Sequence, residues 1–360
     1  MIAPEKKIIS ALVQWYGENK RSLPWRETRD PFKIWVSEVI LQQTRVDQGL
    51  PYYHRFIKSF PDVKKLAAAN QEKVLRLWQG LGYYSRARNM HRCAKQVLVQ
   101  YEGIFPKTYS NLIELPGVGP YTAAAVSSIA ADEPQPVIDG NVFRVLARIF
   151  GIDQPINTPA GKKLFSKKAA TLMSIVVREK ISPGEYNQAL MEFGALQCVP
   201  RQPDCDSCPL AKYCTARAQG LQGDLPVKLQ LIKKRDRHLN YLILEYSGKI
   251  WMKKREAGDV WQGLFDFFLL ETPTLGNAAA LKKKFASLIG EFSDFRHFYS
   301  TKHLLSHQRL HADFFYCSLK RRPTQNLLEN GTFVTLRQAN QLPKPIIIER
   351  VLSIWKKNNV

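Results

Sequence analysis

The chain has 360 residues, 45% of them hydrophobic, which suits two or three packed domains at a prior of about 150 residues each. No apolar run reaches the roughly 20 residues of a membrane span, and Met1–Ser10 carries Glu5, Lys6 and Lys7 in place of an apolar signal region, so a cytoplasmic chain with no membrane partner is expected. A net charge of +22 favours a polyanionic partner, nucleic acid ahead of an anionic membrane surface.

The first two hundred residues read as a run of helices. Asp30 and Pro31 make a start for a helix over Trp35–Val46, whose apolar residues Trp35, Val36, Val39, Ile40 and Val46 fall largely on one stripe. Helical spacing then predicts Leu66–Trp78, Arg86–Tyr101, Tyr121–Ala131, Val142–Phe150, Leu164–Lys180 and Gln188–Leu196, punctuated by glycines and prolines such as Gly80, Gly82, Pro116, Pro134 and Pro183. Beyond Gly220, Gly223 and Pro226, the basic stretch Lys228–Arg237 reads as an exposed linker. The texture then changes. Leu239–Glu245 and Ile250–Lys254 alternate as strands do, and Leu264–Leu270 and Ala312–Leu319 are rich in β-forming residues. Lys282–Gly290 and Ile347–Lys356 have helical spacing. The expected organisation is a helical domain over 1–222, a linker over 223–237 and an α+β domain over 238–360.

Three local patterns carry chemistry. Cys198, Cys205, Cys208 and Cys214 fall within seventeen positions, too tight for scattered core thiols, and no secretory signal supports a disulfide framework. Four thiolates in one loop can hold zinc or a cubane iron–sulphur cluster. One close pair with two distant partners suits the larger cluster better than tetrahedral zinc, which usually takes two close pairs. Second, Leu115-Pro116-Gly117-Val118-Gly119-Pro120-Tyr121-Thr122 precedes a small-residue helix. Two glycines let the backbone turn sharply, and free amides at a helix N-terminus can hold a phosphate oxygen. Third, Asp139 stands between an apolar run and Gly140 ahead of a helix. Its plainest reading is an N-cap carboxylate, kept ionised by the helix terminus. Glu38, flanked by apolar residues on a helix, would hold a proton near neutral pH if buried and would otherwise be a solvent-facing helix residue.

The cysteine spacing resembles that of the endonuclease III superfamily of DNA glycosylases, where it holds a [4Fe-4S] cluster. The string LPGVGPYTA resembles that superfamily's helix–hairpin–helix, spanning about 114–131 here. In that family the hairpin carbonyls can also hold a monovalent or calcium ion. The whole chain resembles the adenine DNA glycosylase (MutY) family. The resemblance implies an all-α helix–hairpin–helix glycosylase fold with a cluster loop over 198–214, followed by a Nudix-like α+β domain that recognises 8-oxoguanine. It implies a monomer that hydrolyses the N-glycosidic bond of adenine paired with 8-oxoguanine or guanine in double-stranded DNA. Glu38 becomes the acid toward adenine N7 and later the base toward water. Asp139 becomes the stabiliser or transient nucleophile, oriented by Asn141, as in two-carboxylate glycoside hydrolysis. Tyr121 stands where bifunctional relatives carry an imine-forming lysine, so a monofunctional enzyme is expected. Gln43 and Tyr83 align with wedge residues that fill the space left by the flipped base. Gly117, Val118 and Gly119 are the DNA-binding hairpin. Trp25, Arg26, Leu41, Val46 and Gln188 match adenine-pocket positions. Leu305-Ser306-His307 matches the recognition loop, with leucine replacing the family's phenylalanine. Gly258–Phe265 resembles the family's tryptophan-containing segment, while the glutamate-rich Nudix metal box is missing, so nucleotide hydrolysis is not expected. Two alternatives stand beside this reading. One is a bifunctional glycosylase and lyase acting on damaged pyrimidines, opposed by Tyr121. The other is a non-catalytic DNA-binding or zinc scaffold, opposed by the pairing of Glu38 with Asp139.

Overall fold

The computed structural model describes residues 4–229, 234–274, 276–321 and 331–358. The chain forms two compact units, Met1–Ala68 with Asn89–Gln230, and Ala69–Arg88 with Leu231–Val360. Residues 69–88, expected in the helical domain, therefore belong with the second unit.

The helical part runs α1 (Pro4–Asn19), α2 (Pro31–Leu41), α3 (Val46–Ser59), α4 (Val63–Ala67), α5 (Gln71–Leu77), α6 (Ser85–Gln100), α7 (Tyr109–Leu112), α8 (Pro120–Ala131), α9 (Gly140–Phe150), α10 (Pro159–Arg178), α11 (Pro183–Leu196) and α12 (Thr215–Gln219). Asp30 caps α2 by accepting from Phe32 N at 2.9 Å, with Pro31 in the first turn. Every residue from Ile34 to Ile40 is buried, so α2 is a central helix rather than a surface one with a single apolar stripe. It ends at Leu41, short of the expected Val46, because Gln43 takes a φ of 56°. Val46 instead opens α3, which the periodicity does not separate. The expected single helix Leu66–Trp78 is likewise two. Asn70 breaks it, accepting from Glu72 N at 2.8 Å to cap α5. The core of the first unit packs α1, α9, α10 and α11 around Leu12, Trp15, Val145, Phe165, Leu190 and Phe193. α1 itself, which buries Ile8, Leu12, Trp15 and Tyr16, lies outside the predicted elements.

The expected linker is shorter than 223–237. Leu225 is buried in the first unit's core, Val227 accepts a backbone bond from Ile156, and the first strand begins at Arg235. Residues 230–233 of that stretch lie outside the described residues.

The second unit holds β1 (Arg235–Tyr246), β2 (Lys249–Lys254), β3 (Phe265–Asp266), β4 (Phe268–Thr272), α13 (Ala278–Ile289), β5 (Ser293–Leu304), β6 (Gln308–Ser318), β7 (Gly331–Val334), α14 (Leu336–Gln341) and α15 (Ile346–Asn358). β1 is central. It runs parallel to β6 from Arg235↔Gln308 to Glu245↔Ser318, and its other edge pairs antiparallel with β4 and then β2. Leu239, Tyr241 and Ile243 face Ile347, Val351 and Trp355 of α15, while Leu242 and Leu244 face Leu281, Phe285 and Ile289 of α13. A sheet covered on both faces explains why β1 is almost continuously apolar from Tyr241 to Leu244. The early segment 69–88 is fastened to this unit by polar contacts. Lys254 Nζ meets Glu72 Oε1 at 2.9 Å, Arg88 Nη1 donates to Gln262 O at 2.8 Å, and Lys344 N donates to Gln79 Oε1 at 3.3 Å. Among the described residues, no helix is long and apolar enough to cross a membrane.

Candidate active site

The first unit contains a cleft of about 970 Å³, within the usual size of a small-molecule site. Glu38 from α2, Tyr121 from the first turn of α8, and Asp139 with Asn141 from the start of α9 all line it. Tyr121 Oη donates to Glu38 Oε2 at 2.6 Å. Burial pushes the Glu38 carboxyl up to about 7, reinforced by the nearby charge of Asp139 and opposed by the Tyr121 bond and Arg26. Asp139 caps α9, with Val142 N donating to Oδ1 at 2.7 Å and Asn141 Nδ2 to Oδ2 at 2.9 Å. The cap reading and the cleft position thus coexist. Burial raises Asp139 above the ordinary carboxylate range, although the bonds from Val142 and Asn141 oppose the rise, so the helix terminus does not by itself dominate as expected from sequence. The close seating of α9 on α11 depends on Gly194, where a Cβ would come within 2.6 Å of Asn141 Cβ.

Trp25, Arg26, Leu41, Val46 and Gln188, scattered over more than 160 positions, all line the same cleft, as does Gln43. Trp25 is buried, with its ring edge-on to Tyr53 at 5.0 Å. Glu192 and Arg21 are among the wall residues that escape the sequence reading. Glu192, one turn beyond Gln188 on α11, is 1% exposed and accepts from both Arg21 and Arg26. These contacts hold its carboxylate near 2 against the opposing effect of burial. The signal that could have found it is the i, i+4 spacing from Gln188, which puts both on one helix face.

Gly117, Val118 and Gly119 do not line the cleft. They form the turn into α8, where Val118 is buried and both glycines are exposed. Gly117 has a φ of 79°, and a Cβ there would approach Asn89 Cβ to 2.6 Å. No side chain caps α8 at Gly119, which leaves its first amides to other partners.

Cys198, Cys205, Cys208 and Cys214 line one pocket and form no disulfide. Among the described residues, no three His, Cys, Asp or Glu side chains converge as a site for a single metal ion. Four thiols around one pocket are a donor set that could hold a metal group. Arg148 Nη1 donates to Cys198 Sγ at 3.4 Å, and Gln222 Nε2 to Cys205 Sγ at 3.9 Å. Arg144 ties this loop to the cleft, donating to Cys198 O at 2.8 Å and to Asn141 Oδ1 at 2.8 Å.

In the second unit, Leu305, Ser306 and His307 form the tight turn between β5 and β6, closed by Leu305 N donating to Gln308 O at 2.9 Å. They are a loop tip rather than part of a strand surface. Ser306 and His307 are exposed, while Leu305 packs partly against the core and Leu304 is 63% exposed. With Tyr83 and Trp261 they line a cavity of about 580 Å³. Tyr83 Oη and Ser306 Oγ share a hydrogen bond. Tyr83 is 48% exposed where neighbouring Tyr84 is 7% exposed, so only the second of the pair is core. Both aligned wedge residues, Gln43 and Tyr83, have positive φ, a conformation that costs energy for residues other than glycine. Asp259 braces the tryptophan-containing segment, accepting from Arg237 at 2.6 Å and Arg255 at 2.6 Å.

This fold and cleft are those of a helix–hairpin–helix base excision DNA repair protein. Residues 36–169 match the HhH-GPD superfamily of base excision DNA repair proteins, and residues 240–353 match the NUDIX domain. The structure resembles that of a thermostable thymine-DNA glycosylase at a TM-score of 0.54 and 28% identity, over 60% of this chain and 97% of that one. It shares its fold with endonuclease III bound to DNA, at a TM-score of 0.52 and 22% identity, over 62% of this chain and 100% of that one. The chain is 31% identical over 351 residues to the adenine DNA glycosylase of Buchnera aphidicola subsp. Schizaphis graminum, covering 96% of this chain and 97% of that one. It is 40% identical over 224 residues to the human adenine DNA glycosylase, covering 60% of this chain and 40% of that one. The chain belongs to the adenine DNA glycosylase (MutY) family.

Proposed function

We propose that the chain hydrolyses the N-glycosidic bond of adenine paired with 8-oxoguanine, or with guanine, in double-stranded DNA, leaving an abasic site. The observation that carries this reading is the buried Glu38 carboxyl, raised to about 7 and facing Asp139 across one cleft. Cleavage builds negative charge on the leaving base and positive charge on the sugar. Glu38 supplies a proton to adenine N7, with Tyr121 engaging Oε2 and leaving Oε1 to carry the proton. Asp139, oriented by Asn141, stabilises the oxocarbenium-like sugar or bonds to it transiently. Glu38, now ionised, then takes the proton of the attacking water. The exposed hairpin amides around Gly119 suit a DNA phosphate, and the adenine is flipped into the wall formed by Trp25, Arg26, Leu41, Val46 and Gln188. The chain acts as a monomer on chromosomal DNA in the cytoplasm. A glycosylase assay on a panel of duplexes, each with one mismatch or lesion, tests the reading. Excision of a damaged pyrimidine in preference to adenine would overturn it.

Tyr121 cannot form an imine, so the reaction is monofunctional. Borohydride is expected to trap no efficient covalent adduct on substrate DNA. An adduct mapped to a lysine of the cleft would refute this.

Ser306 and His307 read the 8-oxoguanine opposite the adenine, and the exposed Tyr83 beside them is the wedge on that side. Leu305, turned partly into the core, replaces the stacking contact of the family's phenylalanine with packing. Replacing both Ser306 and His307 with alanine is expected to shrink the preference for 8-oxoguanine over guanine about tenfold, the value of one or two hydrogen bonds. An unchanged ratio would move recognition elsewhere.

The four cysteines hold a [4Fe-4S] cluster, which when bound pins the loop Val199–Asp204 beside the DNA. Protein purified intact is expected to show broad visible absorption, which d¹⁰ zinc cannot give. A colourless protein carrying stoichiometric zinc would decide for the other metal.

A further inference from the structure

Two carboxylates in the cleft wall, Asp47 and Glu192, are not used by the reaction above, and of these Glu192 is the buried one. It is almost completely buried, yet it accepts five hydrogen bonds from two arginines. Arg21 donates from N at 3.0 Å, Nε at 2.9 Å and Nη2 at 2.6 Å. Arg26 donates from Nη1 at 2.8 Å and Nη2 at 2.7 Å, and its Nη1 also reaches Arg21 O at 3.0 Å. All three side chains line the same cleft as Glu38. We propose that Glu192 is a positioning residue for proton delivery: it holds Arg21 and Arg26 as a partly neutralised clamp, so that Arg26 can line the adenine pocket without drawing the proton off Glu38. The inference rests on the reading of Glu38 as the acid.

The electrostatics around the acid are few enough to name. Tyr121 on α8, Asp139 at the start of α9 and Arg26 face Glu38, with Arg26 the cation of the set. Arg144 acts on Asp139 and donates to Asn141 Oδ1 beside it. Around the clamp stand Tyr16 of α1, whose ring lies 5.5 Å from the Arg26 guanidinium, together with Asp47 and Glu185. Two guanidinium groups with one carboxylate carry a net single positive charge; without Glu192 they carry two. An uncompensated cation favours the ionised form of a nearby carboxyl, so Glu38 would lose its proton at lower pH. Because excision needs that proton, the rate falls as pH rises through the acid's titration, and the falling limb reports it.

The test is the pH profile of single-turnover excision, which isolates chemistry from product release. In Glu192→Gln the falling limb is expected to move down by about one pH unit, making excision about tenfold slower at about pH 8 with little change on the acid plateau. Arg26→Gln removes the cation and should move the limb the opposite way, whatever it does to the plateau. Glu192→Asp keeps the charge and should leave the limb in place. If Glu192→Gln does not fold, the contrast between Arg26→Gln, whose limb moves up, and Glu192→Asp, whose limb stays, still decides. Equal slowing at every pH, or limbs that move in the same direction for Glu192→Gln and Arg26→Gln, would reduce Glu192 to a packing residue and overturn the proposal. A wild-type profile with no falling limb would overturn the reading of Glu38 and the clamp with it. A wild-type limb that none of the variants moves would overturn the clamp alone.

Discussion

Glutamine at position 38 is expected to slow adenine excision by about a thousandfold or more while leaving affinity for mismatched duplex within about twofold. General acid catalysis by a positioned side chain is worth about 10² to 10⁴ in rate, and Glu38 would act twice, on the leaving base and on water. The amide has nearly the same shape, and its carbonyl can still accept from Tyr121, so the cleft keeps its geometry. Single-turnover excision and equilibrium binding on one duplex separate the two effects. Excision within tenfold of wild type would remove Glu38 from the mechanism. The same variant carries a stability signature. The Glu38 carboxyl lies at about 7 in the folded protein against an ordinary value of 4.5. Between those values the folded protein holds a proton that the unfolded chain releases. Stability contributed by this group is therefore present below about pH 4.5 and is lost as pH rises through about 7. Glu38→Gln should remove that slope, which denaturant midpoints across pH 5 to 7 would register.

The second large effect is on stability. Arg148 is 2% exposed and lies beneath the cysteine loop. Its guanidinium donates to Leu225 O at 3.1 Å, Val199 O at 2.7 Å, Pro200 O at 3.0 Å, Gln222 O at 2.6 Å and Cys198 Sγ at 3.4 Å. These carbonyls belong to loop segments with no ladder of their own, so one side chain does the work of a secondary structure. Methionine fills the volume but leaves several buried acceptors unpaired, each costing about 1–3 kcal/mol. With partial relaxation, Arg148→Met should cost on the order of 4 kcal/mol, or about 10 °C in melting temperature for a unit of this size. Visible absorption of the proposed cluster should disappear at lower temperature than in wild type. A melting point within about 2 °C of wild type would show that the loop supports itself.

The parts of the site readable in sequence were those where one residue type has few alternatives. The glycines of the hairpin, the cysteine spacing and the capping Asp139 each answer a local demand, and neighbours along the chain reveal it. Glu38 was readable only with the motif around it, since its burial comes from α2 being enclosed on all sides, which a single apolar stripe does not announce. Glu192 was legible only as a residue one turn beyond Gln188 on the same helix face. Its importance comes from Arg21 and Arg26, about 170 positions away, and no local pattern links them. The same contrast runs through the fold. The break after Leu41 rests on Gln43 in a left-handed conformation, where glycine or proline would have marked it. β5 was missed because none of its residues is fully buried and polar residues break its pattern along an edge strand, and α1 was missed although Ile8, Ile9, Leu12, Trp15 and Tyr16 keep helical spacing behind Lys6 and Lys7.

The membership of Ala69–Arg88 in the second unit has a consequence for how the protein is made. On the ribosome this segment emerges well before β1 exists. Glu72, Gln79 and Arg88 must wait for Lys254, Lys344 and Gln262, whose synthesis takes on the order of ten seconds or more at about 5–20 residues per second. A nascent chain stopped near residue 229 would therefore carry this stretch without the Lys254, Lys344 and Gln262 contacts that hold it in the second unit. The candidate wedge Tyr83 lies in that stretch, so its final setting is among the last things translation can complete.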